Sequence, residues 1–207
     1  MARSKSSSRW LARQSNDPYV AKAKSLGYRS RAVFKLEEIQ HKYNILESRH
    51  CVVDLGAAPG AWTQYVVNNT AQPRTKVVAL DVLAMEPISG VCLLQGDFTE
   101  LDTLEQLVTV VSDSQPDLVL SDMAPNISGN KAVDQPKSMY LAELALDFAK
   151  QHLTSGGSFA VKLFQGSGYP EYIEDLRSCF AQVNTFKPKA SRKESKEMYA
   201  VARGFGL

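Results

Sequence analysis

The sequence predicts an α/β protein of the doubly wound type, with a seven-stranded, mostly parallel sheet covered by helices on both faces. Three observations point there. After residue 50, short and nearly continuous apolar runs recur, as strands buried on both faces require. Stretches of helical period separate the first six of these runs. The last two lie close together with no helix between them, which makes a hairpin-like pair and one antiparallel strand near the sheet edge. A chain of 207 residues, 44% of them apolar, can bury one core and is short for two.

In chain order, residues 1–9 are rich in Ser, Arg and Lys and are expected to be disordered. Asp17 is placed to cap a helix that opens on Pro18. Ser30 is expected to cap a second helix, residues 31–43, burying Val33, Phe34, Leu36 and Ile39. The predicted strands are residues 51–55, 76–80, 91–94, 117–121, 158–164, 183–186 and 198–202. Helices are expected around residues 61–68, 101–111, 135–153 and 169–181, with a short turn near 85–90. Residues 126–136 contain Gly129 and little apolar content, so they read as a mobile loop, or as a plain solvent loop. There is no internal repeat.

Charge is unevenly distributed. The net charge is +2, yet residues 1–35 balance to +8, residues 187–207 to +4 and the middle to −10. Two basic ends on an acidic body suit contact with a polyanion, although solubilising tails would look the same. Trp10, Tyr19 and Tyr28, interleaved with the basic residues of the head, favour RNA, because aromatic faces stack on unpaired bases. Cys51, Cys92 and Cys179 are scattered, odd in number and without CxxC spacing, which argues for a reducing compartment, against a disulfide framework and against a zinc site. No apolar run approaches the ~20 residues of a membrane span, and no signal-peptide core follows the basic N-terminus. The reading is a cytoplasmic, metal-free protein in which nothing demands more than a monomer.

In a doubly wound sheet, ligands bind beyond the carboxyl ends of the strands. The first strand ends in Asp54-Leu55-Gly56-Ala57-Ala58-Pro59-Gly60-Ala61-Trp62, a strand, glycine turn and helix of the form that admits a nucleotide cofactor. No Gly-Lys-Ser/Thr follows, and Ala58 stands where a dinucleotide loop has the glycine that makes room for a pyrophosphate. Asp81 ends the second strand 25 residues after Gly56, near the spacing of a ribose-binding acid. Gly96-Asp97-Phe98 offers a carboxylate for an adenine amino group and a ring for its face, and Ser121-Asp122 ends the fourth strand. Acids at four consecutive strands, Asp54, Asp81, Asp97 and Asp122, gather like charge at one rim. A ligand that uses them is the better explanation. S-adenosylmethionine, a sulfonium cation with a ribose diol and no pyrophosphate, fits.

These segments, together with Val161-Lys162-Leu163-Phe164-Gln165-Gly166, resemble the FtsJ-like ribose 2′-O-methyltransferases. Ser7-Ser8-Arg9-Trp10-Leu11 and Tyr28-Arg29-Ser30-Arg31-Ala32-Val33-Phe34-Lys35-Leu36 resemble the bacterial branch that modifies a uridine of 23S ribosomal RNA in the 50S subunit. The resemblance spans residues 6–202 and implies a Rossmann-like class I methyltransferase fold. With the arm drawn on charge, it divides the chain into a basic, partly disordered arm, residues 1–30, and one S-adenosylmethionine-dependent methyltransferase domain, residues 31–207. It also implies a catalytic tetrad of Lys35, Asp122, Lys162 and Glu197, and cofactor contacts at Gly60, Trp62, Asp81, Asp97 and Asp122. Where the family carries a second glycine before the tryptophan, this chain has Ala61, which is tolerated if its φ is negative.

The residues suit the chemistry. Methyl transfer to a ribose hydroxyl is a direct displacement, so alignment and removal of the hydroxyl proton are the main tasks. A lysine desolvated in the apolar strand 158–164, near the ammonium of Lys35, is a candidate base, with Asp122 and Glu197 orienting it and opposing the loss of its proton. Each member has a plainer alternative. Lys162 can snorkel to water, Lys35 can pair with Glu38 one helical turn on, and Glu197 can be an edge-strand charge. Arg9, Arg29 and Arg31 are the expected phosphate contacts. Base N-methylation is disfavoured because Asp122-Met123-Ala124-Pro125-Asn126 lacks an aromatic residue, and cytosine methylation because no cysteine sits in a suitable loop. Methylation of another RNA such as tRNA, or a non-catalytic ribosome-assembly role, are the competing functions.

Overall fold

The computed structural model describes residues 17–70 and 74–207. Six helices are found among them: α1 (Pro18–Ser25), α2 (Val33–Tyr43), α3 (Ala61–Asn69), α4 (Leu101–Val111), α5 (Lys131–His152) and α6 (Tyr169–Cys179). Seven strands form one sheet: β1 (Cys51–Leu55), β2 (Lys76–Asp81), β3 (Val91–Gln95), β4 (Leu118–Ser121), β5 (Ser158–Phe164), β6 (Phe180–Phe186) and β7 (Glu197–Phe205). Their spatial order is β3-β2-β1-β4-β5-β7-β6, with β7 antiparallel to both of its neighbours. This is the doubly wound sheet with one antiparallel strand that the sequence predicts. The order reverses between β1 and β4, which places the ligand-binding switch point there.

Strand alternation divides the core into two layers. Val53, Leu55, Val119, Phe159 and Val161 face α4, α5 and α6, which contribute Leu107, Leu146 and Leu176. Val52, Leu118, Leu120, Ala160 and Tyr199 face α1, α2 and α3, which contribute Ala23, Phe34, Ile39, Trp62 and Val66. Phe34 is 1% exposed, so truncating it to alanine is expected to cost roughly 3–5 kcal/mol. The arm boundary placed at residue 30 on charge meets a different feature in the packing: Ala23 is buried in this second layer, and the rings of Tyr19 and Tyr28 lie against Phe34. The faces expected to be free for bases are turned on the core, because ring burial is favourable there. Arg9, Trp10 and the expected disorder of residues 1–9 lie outside the described residues.

Four local expectations are corrected. Helix α2 begins at Val33 rather than Arg31, because the Ser30 hydroxyl accepts the Ala32 N–H and closes a turn there. The segment 126–136, expected as a loop, is irregular only as far as Asn130; from Lys131 it is the start of α5. Asn130 caps α5 by accepting from Ala132 N–H, and the Asp134 carboxylate accepts from the Ser128 and Gly129 N–H groups and the Ser128 hydroxyl. Pro136 lies inside α5 beyond its first turn, where it removes one backbone hydrogen bond of the helix. Helix α6 stops at Cys179, and β6 starts at buried Phe180, three residues before the expected strand. Strand β7 begins at Glu197 and ends at Phe205, because it pairs on both sides.

Candidate active site

At the switch point, β1 and β4 part and the chain turns back over their ends. Gly56 has φ +76°, and a Cβ there would lie 2.8 Å from the Met123 backbone. Only glycine lets the two loops approach this closely. Beyond them opens a cleft of about 630 Å3. Gly56 and Ala58 after β1, Asp81, Val82 and Leu83 after β2, Gly96 to Thr99 after β3 and Asp122 to Asn126 after β4 form its wall, and Lys137, Tyr140 and Leu141 of α5 complete it. Of the predicted cofactor residues, Gly56, Asp81, Asp97, Phe98 and Asp122 line this cleft. Trp62 borders an adjoining small recess shared with Asp122. Asp54 lies behind the wall and Gly60 outside it.

The acids differ in how they are held. Asp81 accepts from the Ala58 N–H at 2.9 Å and the Leu83 N–H at 2.8 Å. Asp97 accepts from the N–H and hydroxyl of Thr99 at 2.9 and 2.8 Å. Asp54 is fully buried; one oxygen accepts the Thr63 hydroxyl at 2.6 Å, and Oδ1 has no hydrogen-bond partner among the described residues. Burial pushes its carboxyl up to about 7, helped by the charges of Asp122 and Asp81 and opposed by Thr63. Ala61 is the first residue of α3 and is not among the residues of positive φ, so the absent second glycine leaves no strain.

Four elements far apart in sequence bring the predicted tetrad together. Lys162 of β5 reaches Asp122 after β4, with Nζ 3.1 Å from Oδ1 and a further contact to the Asp122 carbonyl. Lys35 of α2 reaches Glu197 at the start of β7, 2.8 Å from one oxygen and 2.9 Å from the other. Tyr199, absent from the sequence expectations, joins the two pairs. Its hydroxyl donates to Asp122 Oδ1 at 2.5 Å and accepts from Lys35 Nζ at 3.3 Å. Ser191 extends the chain by donating to Glu197 at 2.7 Å. Tyr199 is 0% exposed, and burial, then the charges of Asp122 and Glu197, raise its hydroxyl well above the ordinary tyrosine value. Burial works to raise Asp122 as well, but Lys162, Lys35 and the Tyr199 hydrogen bond outweigh it and hold the carboxyl below its usual value.

The plainer alternatives are not the geometry found. Lys162 is 9% exposed and paired with Asp122. Glu38 turns from Lys35 to accept the Lys189 and Ala190 N–H groups at 2.8 and 2.9 Å, and Glu197 lies on an interior strand. The indole N–H of Trp62 donates to Ala32 O at 2.8 Å, and its ring tilts 5.6 Å from that of Tyr199, fixing α3 against the start of α2. Arg31 pairs with Asp17 and donates to Ala190 O, while Arg29 donates to the carbonyls of Pro59, Glu86 and Pro87. Nothing along the chain hints at these partners, since backbone carbonyls carry no residue signature. Tyr199 had one available signal, a hydroxylated ring two residues after Glu197 and therefore on the same face of a strand.

Comparison with known proteins agrees with this architecture. The family model of FtsJ-like methyltransferases matches residues 28–205. A crystal structure of a protein from Plasmodium falciparum, described as a ribosomal RNA methyltransferase, is 32% identical, with a TM-score of 0.77 over 86% of this chain and 98% of that one. Two more distant structures share the fold. One, described as a haemolysin from Lactococcus lactis, is 16% identical with a TM-score of 0.58, over 84% of this chain and 86% of that one. The other, described as a methyltransferase from Streptococcus mutans in complex with SAH, is 14% identical with a TM-score of 0.52, over 82% and 97%. Matched along most of its length and folded accordingly, the chain belongs to the FtsJ-like methyltransferase family.

Proposed function

We propose that this protein methylates the ribose 2′-hydroxyl of a uridine in 23S rRNA, using S-adenosylmethionine and acting in the cytoplasm, as a monomer, on the large ribosomal subunit. One observation carries the reading. Asp122 is at once a wall of the cleft and a member of the Lys-Asp-Lys-Glu cluster, so the cofactor pocket and the proton-handling groups meet at one residue.

The residues fit the cofactor. Asp81 and Asp97, both in the wall of the cleft, would hold the ribose hydroxyls and the amino group of an adenosine, and Phe98 borders the same wall. Ala58 stands where a pyrophosphate-binding loop has glycine, while three carboxylates suit a cation. S-adenosylmethionine, when bound, supplies an activated methyl group. Lys162 Nζ, held by both the carboxylate and the carbonyl of Asp122, is the nitrogen assigned to take the hydroxyl proton, once it has itself given up a proton to solvent and become the neutral amine. Lys35, fixed by Glu197 and Tyr199, is assigned to position the ribose oxygen.

An RNA substrate is supported by the relative from Plasmodium falciparum and by charge. The segment between β6 and β7 carries exposed Lys187, Lys189, Lys193 and Lys196, and is pinned to α2 through Glu38 close to Lys35. Arg9 is assigned to the RNA side on charge, whereas the guanidinium groups of Arg29 and Arg31 are directed at protein carbonyls and Asp17. The decisive experiment is incubation with methyl-labelled cofactor and undermethylated 50S subunits, followed by nucleoside analysis. Label on a 2′-O-methyluridine is expected, whereas label on a base, on tRNA only, or nowhere would overturn the proposal.

A further inference from the structure

We propose that Arg29 is a positioning residue of the cofactor cleft, bracing its two loops from outside. Its half-buried guanidinium donates from Nη1 to Pro59 O at 3.1 Å and to Glu86 O at 2.6 Å, and from Nη2 to Pro87 O at 2.9 Å. Pro59 belongs to the loop after β1 whose Gly56 and Ala58 line the cleft. Glu86 and Pro87 belong to the segment after β2 whose Asp81, Val82 and Leu83 line it from the other side. The two loops touch directly through the Ala58 N–H and Asp81. Arg29 adds a second tie, at the next residue of the first loop and at the fifth and sixth residues beyond Asp81 on the second.

The local structure is shaped for this contact. Residues 82–90 belong to no helix or strand, so no ladder of backbone hydrogen bonds fixes them. Gly60 has φ +100°, and a Cβ there would lie 2.8 Å from both Arg29 Nη1 and Met85 Sδ; its absence lets the guanidinium reach the Pro59 carbonyl. Gln64 of α3 holds the arginine backbone, accepting its N–H at 3.1 Å and donating to Gly27 O at 2.9 Å. A planar guanidinium can address three carbonyls on two strands of chain, and a single ammonium cannot match that fork. With its donors directed at protein carbonyls, Arg29 acts on cofactor affinity first. Without the brace the binding-competent arrangement of the two loops is populated less, and apparent affinity falls in proportion.

This proposal rests on the reading that the cleft takes S-adenosylmethionine, and the experiment separates the two. Calorimetric titration with S-adenosylhomocysteine, without RNA, is run on the full chain, Arg29→Met and Arg29→Lys. Both variants are expected to bind roughly tenfold more weakly than wild type. Methylguanidinium added to Arg29→Ala is expected to restore part of the lost affinity, which a general loss of stability would not allow. Affinity for a 23S rRNA transcript, and its dependence on salt, is expected to be unchanged, whereas a phosphate contact would reduce both. Equal binding of S-adenosylhomocysteine by wild type and Arg29→Lys would overturn the brace alone. Failure of wild type to bind it would overturn the cofactor reading and the brace with it.

Discussion

Asp81 and Asp122 both sit at strand ends of the same sheet, yet they are held by opposite means. Among the described residues, Asp81 accepts only backbone N–H groups from its own rim, on a half-buried and open wall. Asp122 meets a lysine, a tyrosine hydroxyl and, through that tyrosine, a second ion pair. The first arrangement leaves a carboxylate with acceptor capacity to offer a ligand. The second commits a carboxylate to fixing a neighbouring ammonium. A pocket that binds and a cluster that moves a proton have different requirements, and the two acids divide them.

The comparison breaks most severely at Lys162. Lys162→Ala is expected to lower methyl transfer about a thousandfold or more while affinity for S-adenosylhomocysteine stays within a factor of two or so of wild type. Single-turnover transfer and calorimetry on one preparation make the test. Substantial residual transfer would remove Lys162 from the base role. Asp81→Ala should behave in the opposite sense, weakening cofactor binding by roughly 10–100-fold, as expected for a lost hydrogen bond to a charged group. Transfer at saturating cofactor should then be largely retained. An unchanged dissociation constant would refute the ribose assignment.

The same contrast explains what could be read from sequence. The cofactor half follows strand order: Gly56, Asp81, Asp97 and Asp122 each close a β-strand, and a parallel sheet delivers all strand ends to one rim. That rule needs only the strand positions, which apolar runs reveal. The tetrad spans α2, β5, β7 and the loop after β4, and its members meet only because β7 inserts between β5 and β6. Spacing along the chain does not encode that insertion, so Lys35 and Glu197 are legible through family resemblance, and Tyr199 only through its place two residues after Glu197 on one strand face. The segment 126–136 misled for a related reason. Its order comes from Asn130 and Asp134 capping their own backbone, a local chemistry that low apolar content conceals.

Tyr199 sharpens the comparison at moderate scale. Tyr199→Phe keeps the buried ring and its packing on Trp62 but removes the hydroxyl between the two ion pairs. A fall of about tenfold in methyl transfer is expected, from one lost hydrogen bond, with cofactor affinity intact. If transfer does not change, the two ion pairs act independently and the hydroxyl is only a packing partner for Asp122.

The last effect is on stability rather than on binding or transfer and concerns Asp54, the acid that neither faces the cleft nor joins the tetrad. Its carboxyl is pushed by burial up to about 7 from an unfolded value of 3.8. An acid whose native value is raised holds a proton in the folded chain that the unfolded chain has already lost. Its contribution to stability is therefore complete below the unfolded value, declines as pH rises toward 7, and is flat beyond. The limiting slope is roughly 1.4 kcal/mol per pH unit. An amide in its place cannot titrate, so Asp54→Asn should gain on wild type in urea unfolding as pH is raised from about 5 to about 7, and the difference should level off by about pH 8. Parallel stability curves would mean that the carboxyl titrates alike in both states. In that event Thr63 and the unpartnered Oδ1 region solvate the charge well enough to cancel burial, and Asp54 would belong with Asp81 rather than standing apart from it.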